Sequence, residues 1–437
     1  MAKAKKKESL TPEERLQAAL VPDWEQPYKV PENWCWTYLK PISKIRTGKK
    51  DANYGSADGE YPFFTCAADP IRCHGYSFDC NAILLAGNGD INNISRYNGK
   101  FEAYQRTYVV EIIEPISIDY VFYWFKYRWF DFNKDKMFGT AIPYIRLGNL
   151  QEFPIPVPPV TQQQRIVDRI ESLFAKLDEA KQKTQDALDS FETRKAAILH
   201  KAFTGELTAQ WRKEHGVGME QWKQICFDNS FIKMQNGLAK RSGSSGVPYS
   251  VLRLANLSDA GISTEDMRTI LLDTKEQENY GLKKNDVLMI RVNGSKENVG
   301  KQFLLTTDNQ WAFCDHISRI KYKEKLLPAY MVYFSKSDTY KLYVENHMVS
   351  SAGQNTISRK GMASLSIPVP DLREQTEIVH ILDDLLAKEQ QAKDAAETVL
   401  EQIDLIKKSI LARAFRGELD TNDPAEESAV ELVKEVI

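Results

Sequence analysis

The stretch IPVPPVTQQQRIVDRIESLFAK at Ile155–Lys176 returns as IPVPDLREQTEIVHILDDLLAK at Ile367–Lys388. The two copies stay 212 residues apart, without a gap, as far as the endings FTGEL at Phe203–Leu207 and FRGEL at Phe415–Leu419. About 21 of the roughly 53 aligned positions are identical, which indicates an internal duplication. The sequence therefore predicts two similar halves in one chain.

Each copy has the apolar spacing of a long helix, because the apolar positions recur at alternating steps of three and four, as in a coiled-coil seam. The predicted seam is Ile166, Ile170, Leu173, Leu177, Ala180, Thr184, Ala187, Phe191, Arg194 and Ile198 in the first copy, and Ile378, Leu382, Leu385, Glu389, Ala392, Ala396, Val399, Ile403, Ile406 and Ile410 in the second. An ordinary buried helix pair would show similar spacing. Since the stripe occurs twice, we expect the two helices to pack on each other.

The ends of both helices carry capping signals. Thr161-x-x-Gln164 and Asp371-x-x-Glu374 have the pattern of capping boxes, and Gly205 and Gly417 stand where helices commonly end. We therefore predict one long helix in each half.

The regions before the helices also repeat. Residues 81–89 and 285–294 each have the pattern of a buried strand that enters a turn with Asn next to Gly, and the segments beginning at Ile94 and Val299 would be the returning strands. Aromatic segments at Tyr120 and Tyr330 predict amphipathic helices under the sheet, and glycine-led polar loops begin at 139 and 353.

These signals predict an α+β protein with six segments. Two similar globular domains, each a curved and mainly antiparallel sheet with flanking helices, are joined by two long helices in an antiparallel coiled coil with pseudo-two-fold symmetry. The segments are an N-terminal arm with a short helix (1–30), the first globular domain (31–158), the first long helix (159–207), the second globular domain (208–369), the second long helix (370–419) and an acidic tail with a short helix (420–437).

Composition is that of an ordinary globular protein. The chain has 437 residues, 42% hydrophobic and 27% charged. No apolar run has the length of a membrane span, and the basic start at residues 1–7 lacks the apolar segment of a signal peptide. We therefore expect no membrane association and a cytoplasmic location.

Six cysteines in a chain of this size do not predict a disulfide framework. Cys66, Cys73, His74 and Cys80 are close enough in sequence to suggest zinc, but their spacing is not CxxC. Small apolar thiols in or beside strands explain them better, so we expect no metal.

The formal net charge of −2 excludes a generic polycation. Any nucleic-acid contact must then depend on local positive charge. Between Glu220 and Ser366, about 20 basic side chains face about 15 acidic ones, while acidic residues gather after Asp420. A basic second domain is compatible with DNA binding.

Motifs of catalysis are missing from the sequence. Thr47–Lys50 resembles the end of a phosphate loop, but serine stands at position 43 and lysine at position 50, where glycine and a hydroxyl residue are required. The chain has no H-E-x-x-H, no G-x-S-x-G and no Asn/Asp-Pro-Pro-aromatic motif of amino-methyltransferases. Two related modules on a helical spacer instead suit a ligand with two similar ends, such as duplex DNA with a split site.

The duplicated IPVP segments with Gln163 and Gln375, the long helices and the paired Phe-x-Gly-Glu-Leu endings resemble the specificity subunit of type I restriction-modification systems. The resemblance covers nearly the whole chain. It implies that the globular regions are target recognition domains, each reading half of a bipartite DNA sequence, on a spacer of antiparallel helices. It also implies partners: two adenine-N6 methyltransferase subunits that use S-adenosylmethionine, and motor-nuclease restriction subunits that use ATP and Mg²⁺. This chain itself would be non-catalytic and would hold no cofactor.

Recognition domains of this family vary in sequence, so candidate DNA contacts are chosen by chemistry. Polar and basic side chains at turns and in the glycine-led loops can contact base edges and phosphates. The candidates are Lys49, Lys50, Asn88, Asn92, Asn93, Arg96, Tyr144 and Arg146 in the first domain, and Lys240, Arg241, Asn293, Lys296, Asn298, Lys301, Gln354, Asn355, Arg359 and Lys360 in the second.

Two other hypotheses fit part of the pattern. A coiled-coil adaptor that binds protein without reading DNA would show the same seam. A self-sufficient nuclease or methylase would need a site hidden in the loops, and would modify or cut plasmid unaided.

Overall fold

The computed structural model describes residues 10–243 and 245–437. The lysine-rich start of the predicted N-terminal arm lies outside these residues. The chain forms two compact units: unit 1 holds the described residues up to Thr184 together with Thr398–Ile437, and unit 2 holds Gln185–Glu397. Each unit therefore combines one globular region with parts of both long helices.

The described chain contains helices and strands in an α+β arrangement, as predicted. The α-helices are α1 (Pro12–Ala19), α2 (Ile118–Asn133), α3 (Leu147–Gln151), α4 (Val160–Asp189), α5 (Phe191–Thr204), α6 (Ala209–His215), α7 (Thr274–Tyr280), α8 (Pro328–Phe334), α9 (Asp338–His347), α10 (Arg359–Met362), α11 (Leu372–Ala414) and α12 (Ala429–Val436). The strands of unit 1 are β1 (Cys35–Tyr38), β2 (Ser43–Thr47), β3 (Tyr61–Phe64), β4 (Ile71–Cys73), β5 (Phe78–Ala86), β6 (Ile94–Ala103), β7 (Thr107–Ile112) and β8 (Pro154–Val157). The strands of unit 2 are β9 (Lys223–Cys226), β10 (Phe231–Asn236), β11 (Val247–Leu252), β12 (Leu257–Ser258), β13 (Gly261–Ile262), β14 (Arg268–Leu272), β15 (Val287–Ile290), β16 (Val292–Asn293), β17 (Gln302–Leu304), β18 (Trp311–Phe313), β19 (Ile317–Tyr322), β20 (Val349–Ser351), β21 (Gln354–Thr356) and β22 (Ser366–Val369).

The globular part of unit 1 is built on a six-stranded sheet in the order β2-β7-β5-β6-β3-β4. Its centre is the predicted hairpin, in which β5 pairs with β6 in antiparallel register from Phe78 opposite Phe101 to Leu85 opposite Ile94. Only β3 and β6 run parallel within it. A separate pair, β1 with β8, fixes the IPVP segment beside the start of the domain.

Unit 2 repeats this plan with a sheet that is divided into smaller pieces. The central four strands follow the order β10-β19-β15-β17, and β14-β11-β18 forms a second sheet with β11 parallel to β18. Strand β22, which carries the second IPVP segment, pairs with β9 as β8 pairs with β1. The prediction of two similar, mainly antiparallel domains is therefore confirmed.

The predicted aromatic helices form, with one difference. Helix α2 buries Tyr120, Trp124 and Trp129 against the sheet. The second segment is divided into two helices, α8 and α9. The hydroxyls of Ser335 and Ser337 donate to the carbonyls three residues earlier, so these carbonyls have hydrogen-bond donors without a continuous helix.

The first long helix is interrupted, contrary to the prediction of one helix over 159–207. It ends at Asp189 and restarts at Phe191. The Ser190 hydroxyl and the Arg194 guanidinium both donate to the carbonyl of Ala187 (2.9 and 3.2 Å). These side-chain hydrogen bonds compete with the backbone hydrogen bond that a continuous helix would make to that carbonyl. The second helix, α11, runs unbroken for 43 residues.

The two long helices run antiparallel within each unit, as predicted. In unit 1, Asp178 pairs with Lys407 (2.5 Å) and Lys181 with Asp404 (3.5 Å). In unit 2, Phe191 lies under Lys393 (5.2 Å) and Arg194 pairs with Glu389 (2.9 Å). Partner numbers fall along α11 as they rise along α4 and α5, which is the register of an antiparallel pair.

The predicted seam on α11 is confirmed only in part over its second half, where Ile403 is buried and Ala396 and Ile410 are half-buried. Val399 and Ile406 are 39% and 45% exposed, and Ala392 is exposed as well. At these three exposed positions the next residue turns inward instead, and two of the replacements are Lys393 over the Phe191 ring and Lys407 over the Phe174 ring. A straight helix of 3.6 residues per turn drifts about 20° per heptad from a 3.5-residue seam, so a long helix moves its inward face.

The helix ends agree only in part with the predicted caps. Gly205 and Gly417 have the positive φ of helix ends, and Asp371 accepts from the Glu374 amide (2.9 Å). Thr161, however, lies inside the first turn of α4, because the prolines of IPVPP place the helix start at Val160.

Both units share two hydrogen bonds of a glutamine where a long helix begins, and Gln375 makes a third, to the Lys325 carbonyl (3.0 Å). Gln163 accepts from the Ser117 amide (2.7 Å) and donates to the Pro158 carbonyl (2.9 Å). Gln375 accepts from the Leu327 amide (2.9 Å) and donates to the Pro370 carbonyl (2.9 Å). The repeated glutamine therefore ties the IPVP turn to the start of the aromatic helix.

The paired Phe-x-Gly-Glu-Leu endings dock on the aromatic helices. Phe415 packs on Tyr120 and Trp124 in unit 1, and Phe203 packs on Tyr330 and Phe334 in unit 2. The end of α11 therefore completes the core of unit 1, and the end of α5 completes that of unit 2.

The acidic tail also belongs to the core of unit 1. The short helix predicted in this tail starts at Ala429 and is capped by Ser428, while Asp423 closes a tight turn with the amides of Ala425 and Glu426. Ala429, Leu432 and Val433 of this helix are buried. The tail is therefore a structural part of unit 1.

Candidate nucleic-acid interface

Three loops of unit 1 meet at one end of its sheet. The Gly48 amide donates to Thr107 O (3.3 Å), the Gln105 amide to Lys50 O (2.9 Å) and the Gly87 amide to Arg106 O (2.8 Å). The loop that follows Gly139 joins them through the Ile145 amide, which donates to Gly87 O (2.9 Å). Backbone hydrogen bonds therefore fix the relative positions of these loops.

The backbone at Gly48 passes very close to a neighbouring strand. A Cβ at Gly48 would meet the carbonyl oxygen of Ala103 at 1.8 Å, and one at Gly237, the equivalent residue of unit 2, would meet Cys314 O at 2.3 Å. The chain passes so close to the neighbouring strand that no side chain fits.

Most of the predicted contacts in unit 1 lie in this cluster. Lys49 is exposed and makes no hydrogen bond or ion pair with another described residue, while Lys50 stacks on Tyr54 (4.3 Å). Arg146 covers the Phe138 ring at 3.9 Å and donates to the Tyr144 hydroxyl (3.2 Å). Arg146 borders an open cleft of about 490 Å³.

The asparagines of the β5–β6 loop differ in availability. Asn92 is exposed, and Asn88 Oδ1 is buried without a hydrogen-bond partner among the described residues. Asn93 donates to the Cys66 carbonyl (2.9 Å) and so holds the loop together. Arg96 lies away from the cluster on β6, where it forms an ion pair with Asp119.

Unit 2 repeats the same backbone frame. The Gly237 amide donates to Ile317 O (3.1 Å), the Asp315 amide to Leu238 O (3.1 Å) and the Arg291 amide to His316 O (2.8 Å). The Ile357 amide donates to Arg291 O (3.0 Å), as Ile145 does to Gly87 in unit 1. Arg291 therefore stands where unit 1 has Gly87.

Several predicted cations of unit 2 are already paired. Lys240 contacts Glu276 (2.5 Å), Lys301 contacts Asp259 (2.8 Å) and Arg359 contacts Asp228 (2.7 Å). Hydrogen bonds from Lys301 and Arg359 lower the pKa of Asp259 and of Asp228 below the ordinary carboxyl value. These three cations are consequently less available to phosphate than their sequence positions indicate.

Other predicted residues of unit 2 remain available. Arg241, Lys296 and Lys360 are exposed and make no hydrogen bond or ion pair with their side chains in the part of the chain that the structure describes. Gln354 is exposed at the tip of the β20–β21 hairpin. Lys296 and Asn298 belong to the short turn that follows β16.

Two predicted asparagines have a structural role. Asn355 is buried and donates to Gly294 O (2.8 Å), and Asn293 accepts from the Ser295 amide (2.9 Å). They shape the loop between β16 and β17 and are poor candidates for base contacts.

The sequence argument missed the residues at the tips of two equivalent turns. These residues are Gln105 and Arg106 in unit 1, and Asp315 and His316 in unit 2, with Arg291 beside them. A signal was present, because YQRT and CDHI both stand just before an alternating apolar strand, but such turns are common and gave no reason to prefer them.

One trio of possible metal ligands is close together among the residues described. The ligand atoms of Cys314, Asp315 and His316 lie within 4.8 Å of one another. Burial raises the pKa of the Cys314 thiol, which disfavours the thiolate that zinc requires. The thiols of Cys66, Cys73 and Cys80 contact different groups, namely Arg106 O, Gly75 O and Arg46.

In the described part of the chain, no helix combines the length and apolarity that a membrane crossing requires.

Comparison with known proteins agrees with this architecture. Residues 31–189 and 249–401, more than half of the chain, match the family model of the type I restriction modification DNA specificity domain. The specificity subunit of the EcoDI type I restriction enzyme of Escherichia coli is 28% identical over 430 residues, 91% of each chain. That of the StySPI enzyme of Salmonella potsdam is 32% identical over 292 residues, 66% of this chain and 62% of that subunit.

A solved structure shows the same fold. The HsdS subunit from Thermoanaerobacter tengcongensis superposes with a TM-score of 0.60 at 19% identity, over 90% of this chain and 99% of that one. With the duplicated family match, these findings lead to one conclusion: the chain belongs to the family of type I restriction-modification DNA specificity subunits.

Proposed function

We propose that this specificity subunit reads a bipartite, asymmetric DNA sequence, one half-site with each unit. The observation that carries the proposal is that one backbone frame occurs twice with different side chains. Gly87 and Arg106 in unit 1 are joined as Arg291 and His316 are in unit 2. Equal frames would approach DNA alike, and different side chains would select different bases.

The charge pattern supports binding through these loops. The whole chain has a net charge of −2, yet Lys49, Arg106, Arg241 and Lys296 are exposed and make no hydrogen bond or ion pair with their side chains within the described residues. Phosphate contacts by a few such cations would give weak binding that falls steeply with salt.

We further propose that the helices set the spacer between the half-sites. The antiparallel ion pairs on α4 and α11 in unit 1, and on α5 and α11 in unit 2, support this role. A helix is stiff over its length, whereas a loop of similar length is not.

The remaining parts of the complex belong to other subunits in this proposal. The chain is the specificity subunit by family and not a catalytic one. It would bind two adenine-N6 methyltransferase subunits, which bring S-adenosylmethionine, and restriction subunits, which bring ATP and Mg²⁺. No cofactor would bind this chain, and the complex would work in the cytoplasm.

A domain exchange tests whether the half-sites are read separately. Replacing residues 227–365 with those of a relative keeps the β9–β22 pair that closes the domain. We expect sequencing of methylated adenines, in cells that also make the methyltransferase, to show one changed half-site and one unchanged. A change in both halves contradicts the two-module proposal.

A paired deletion tests the helices as a spacer. Since Asp178 faces Lys407 and Lys181 faces Asp404, removing residues 180–186 together with 399–405 keeps the register. Seven residues of helix correspond to about 10 Å, or about three base pairs, with a rotation of about 100° around the duplex. We expect lost methylation or a new spacer with both half-sites unchanged.

The spacer proposal fails if this deletion variant assembles and still methylates the original motif with the original spacer. Deleting only residues 180–186 is the matched control, because it shifts the register of α4 against α11 by a heptad while removing half as many residues.

The chain alone is expected to bind DNA weakly and to catalyse nothing. Purified chain incubated with plasmid and S-adenosylmethionine, or with Mg²⁺ and ATP, should neither methylate nor cut it. Robust unaided modification contradicts the assignment of catalysis to partner subunits.

A further inference from the structure

Two exposed turns occupy equivalent positions in the two units. In unit 1 the Thr107 amide donates to Tyr104 O (2.8 Å) and closes a turn between β6 and β7. In unit 2 the Ile317 amide donates to Cys314 O (3.0 Å) and closes the turn between β18 and β19. The two central residues are Gln105 and Arg106 in the first turn, and Asp315 and His316 in the second.

Both turns are held on two sides by the neighbouring chain. The first central residue donates its amide, Gln105 to Lys50 O (2.9 Å) and Asp315 to Leu238 O (3.1 Å). The second central residue accepts through its carbonyl, from the amide of Gly87 (2.8 Å) or of Arg291 (2.8 Å). The backbone that carries each pair of side chains is therefore already fixed before a ligand binds. This lowers the entropic cost of a contact.

The Arg106 side chain is available for a contact outside the protein. Arg106 is exposed and its guanidinium has no hydrogen bond or ion pair with any residue that the structure describes. Gln105 donates to Asp51 Oδ1 (2.8 Å), which orients its amide. Both residues border the cleft that also contains Arg146. A structural turn would not need an unpaired guanidinium at this place.

The second turn offers different chemistry on the same frame. The side chains of Asp315 and His316 are 47% and 43% exposed, and Asp315 Oδ1 lies 3.0 Å from His316 Nδ1. The Arg291 side chain donates to the Asp315 carbonyl (3.4 Å), so it braces this turn, whereas Gly87 has no side chain that could make such a contact. A carboxylate accepts hydrogen bonds from exocyclic amino groups of bases, while arginine donates two to guanine O6 and N7.

We propose that Gln105–Arg106 and Asp315–His316 are equivalent base-reading pairs, and that their different chemistry is one source of the asymmetry between the half-sites. This inference rests on the proposed function. Arg106 would select guanine in one half-site, and Asp315 would select a base with an exocyclic amino group in the other.

The experiment changes these pairs in the complete complex. The chain is co-expressed with its methyltransferase, methylated adenines are mapped, and affinity is measured for the wild-type motif and for single-base variants of it. The variants are Arg106→Ala, Arg106→Lys, Asp315→Ala and the exchange Gln105→Asp with Arg106→His. Lys40→Ala is the matched control, because it removes one exposed positive charge in unit 1, before β2 begins.

We expect Arg106→Ala to reduce discrimination at one base pair of one half-site by about 10- to 100-fold, with the other half-site unchanged. Arg106→Lys keeps the charge but not the two-pronged geometry, so it should keep most non-specific affinity and lose discrimination. Asp315→Ala should relax the other half-site only. Lys40→Ala should leave the motif unaltered.

The outcomes separate the inference from the proposed function. If the wild-type complex methylates no bipartite motif, the proposed function fails. If the wild-type complex has such a motif and Arg106→Lys and the exchange variant retain it with full discrimination in both halves, the turns do not read bases and the inference is overturned. Because the substituted side chains are exposed, a thermal unfolding curve equal to that of the wild type verifies that each variant is folded.

Discussion

Two equivalent positions at the start of the long helices show how the units diverged. Gln162 on α4 is buried and accepts from the Trp34 indole (3.0 Å), while its Nε2 has no hydrogen-bond partner in the described chain. Glu374 on α11 is equally buried and accepts from the Trp222 indole (2.9 Å), from Thr208 (2.6 Å) and from Arg212 (2.5 Å). The tryptophan contact is common to both units, but at this buried position only unit 2 has an ion pair among the described residues.

This difference indicates that a buried charged residue and its oppositely charged partner must be present together. A carboxylate inside a protein is costly unless a cation or several hydrogen-bond donors satisfy it, and Arg212 is the cation that contacts Glu374. Where the cation is missing, as around Gln162, a neutral amide can keep the tryptophan hydrogen bond alone. The predictions below test this interpretation.

The largest effect is expected from Arg212→Ala. Removing the guanidinium leaves Glu374 buried without a cation, which should cost about 3–5 kcal/mol of unfolding free energy. Denaturant unfolding of the variant measures this loss. The double variant Arg212→Met with Glu374→Gln imitates unit 1 and should recover most of it; equal losses in the single and double variants would show that the charge pair is not what matters.

The converse change in unit 1 is Gln162→Glu. It places a carboxylate beside Trp34 with one donor and no cation, and we expect a loss of about 2–3 kcal/mol at neutral pH. Gln162→Met is the control for packing, since it has a similar size and no charge. A thermal melt in which Gln162→Glu unfolds no earlier than Gln162→Met contradicts the interpretation.

Positions that are the same in both units should respond alike. Gln163→Leu and Gln375→Leu each leave a buried backbone amide and a carbonyl without their side-chain partner, and we expect about 1–3 kcal/mol for each. The two losses should be similar when each variant is measured by denaturant unfolding. A large difference between them would mean that the repeat is conserved in sequence but not in energetics.

The smallest effect is expected at the acidic tail of unit 1. Arg165 donates to Glu426 (2.7 Å) and lowers the pKa of that carboxyl below its ordinary value. A lowered pKa stabilises the fold above the unfolded pKa, and this contribution disappears as the pH falls through the folded pKa. Because the pair is partly exposed, Glu426→Gln should cost less than about 1 kcal/mol at pH 7 and nothing in strong acid. A difference in melting temperature that persists at the acid end contradicts this assignment.

Local pattern was sufficient for the architecture. The duplication, the two long helical segments, the strand pairs on either side of the Asn-Gly turns and the glycines at 205 and 417 were all visible in the sequence and are confirmed by the structure. Each of these features is determined by residues close together in the sequence, through the periodicity of apolar side chains and the residue preferences of turns. The choice of family followed from the same repeats.

Availability for DNA contacts could not be read from the sequence. Arg96 and Lys301 have the right chemistry for DNA contacts. However, they form ion pairs with Asp119 and Asp259, each more than 20 residues away along the chain. Gln105 and Arg106 look ordinary in sequence and become candidates only because Lys50 and Gly87 hold their turn. Such pairings depend on which strands lie side by side.

The sequence by itself determined that this protein is a duplicated α+β chain with two long helices, because those features arise from the spacing of side chains along one segment. The tertiary structure alone decided which face of α11 points inward over its second half, that the acidic tail completes the core of unit 1, and which cations stay free. The physical reason is that burial and charge pairing are set by groups distant in the chain, whose energies depend on distance and exposure in the folded molecule.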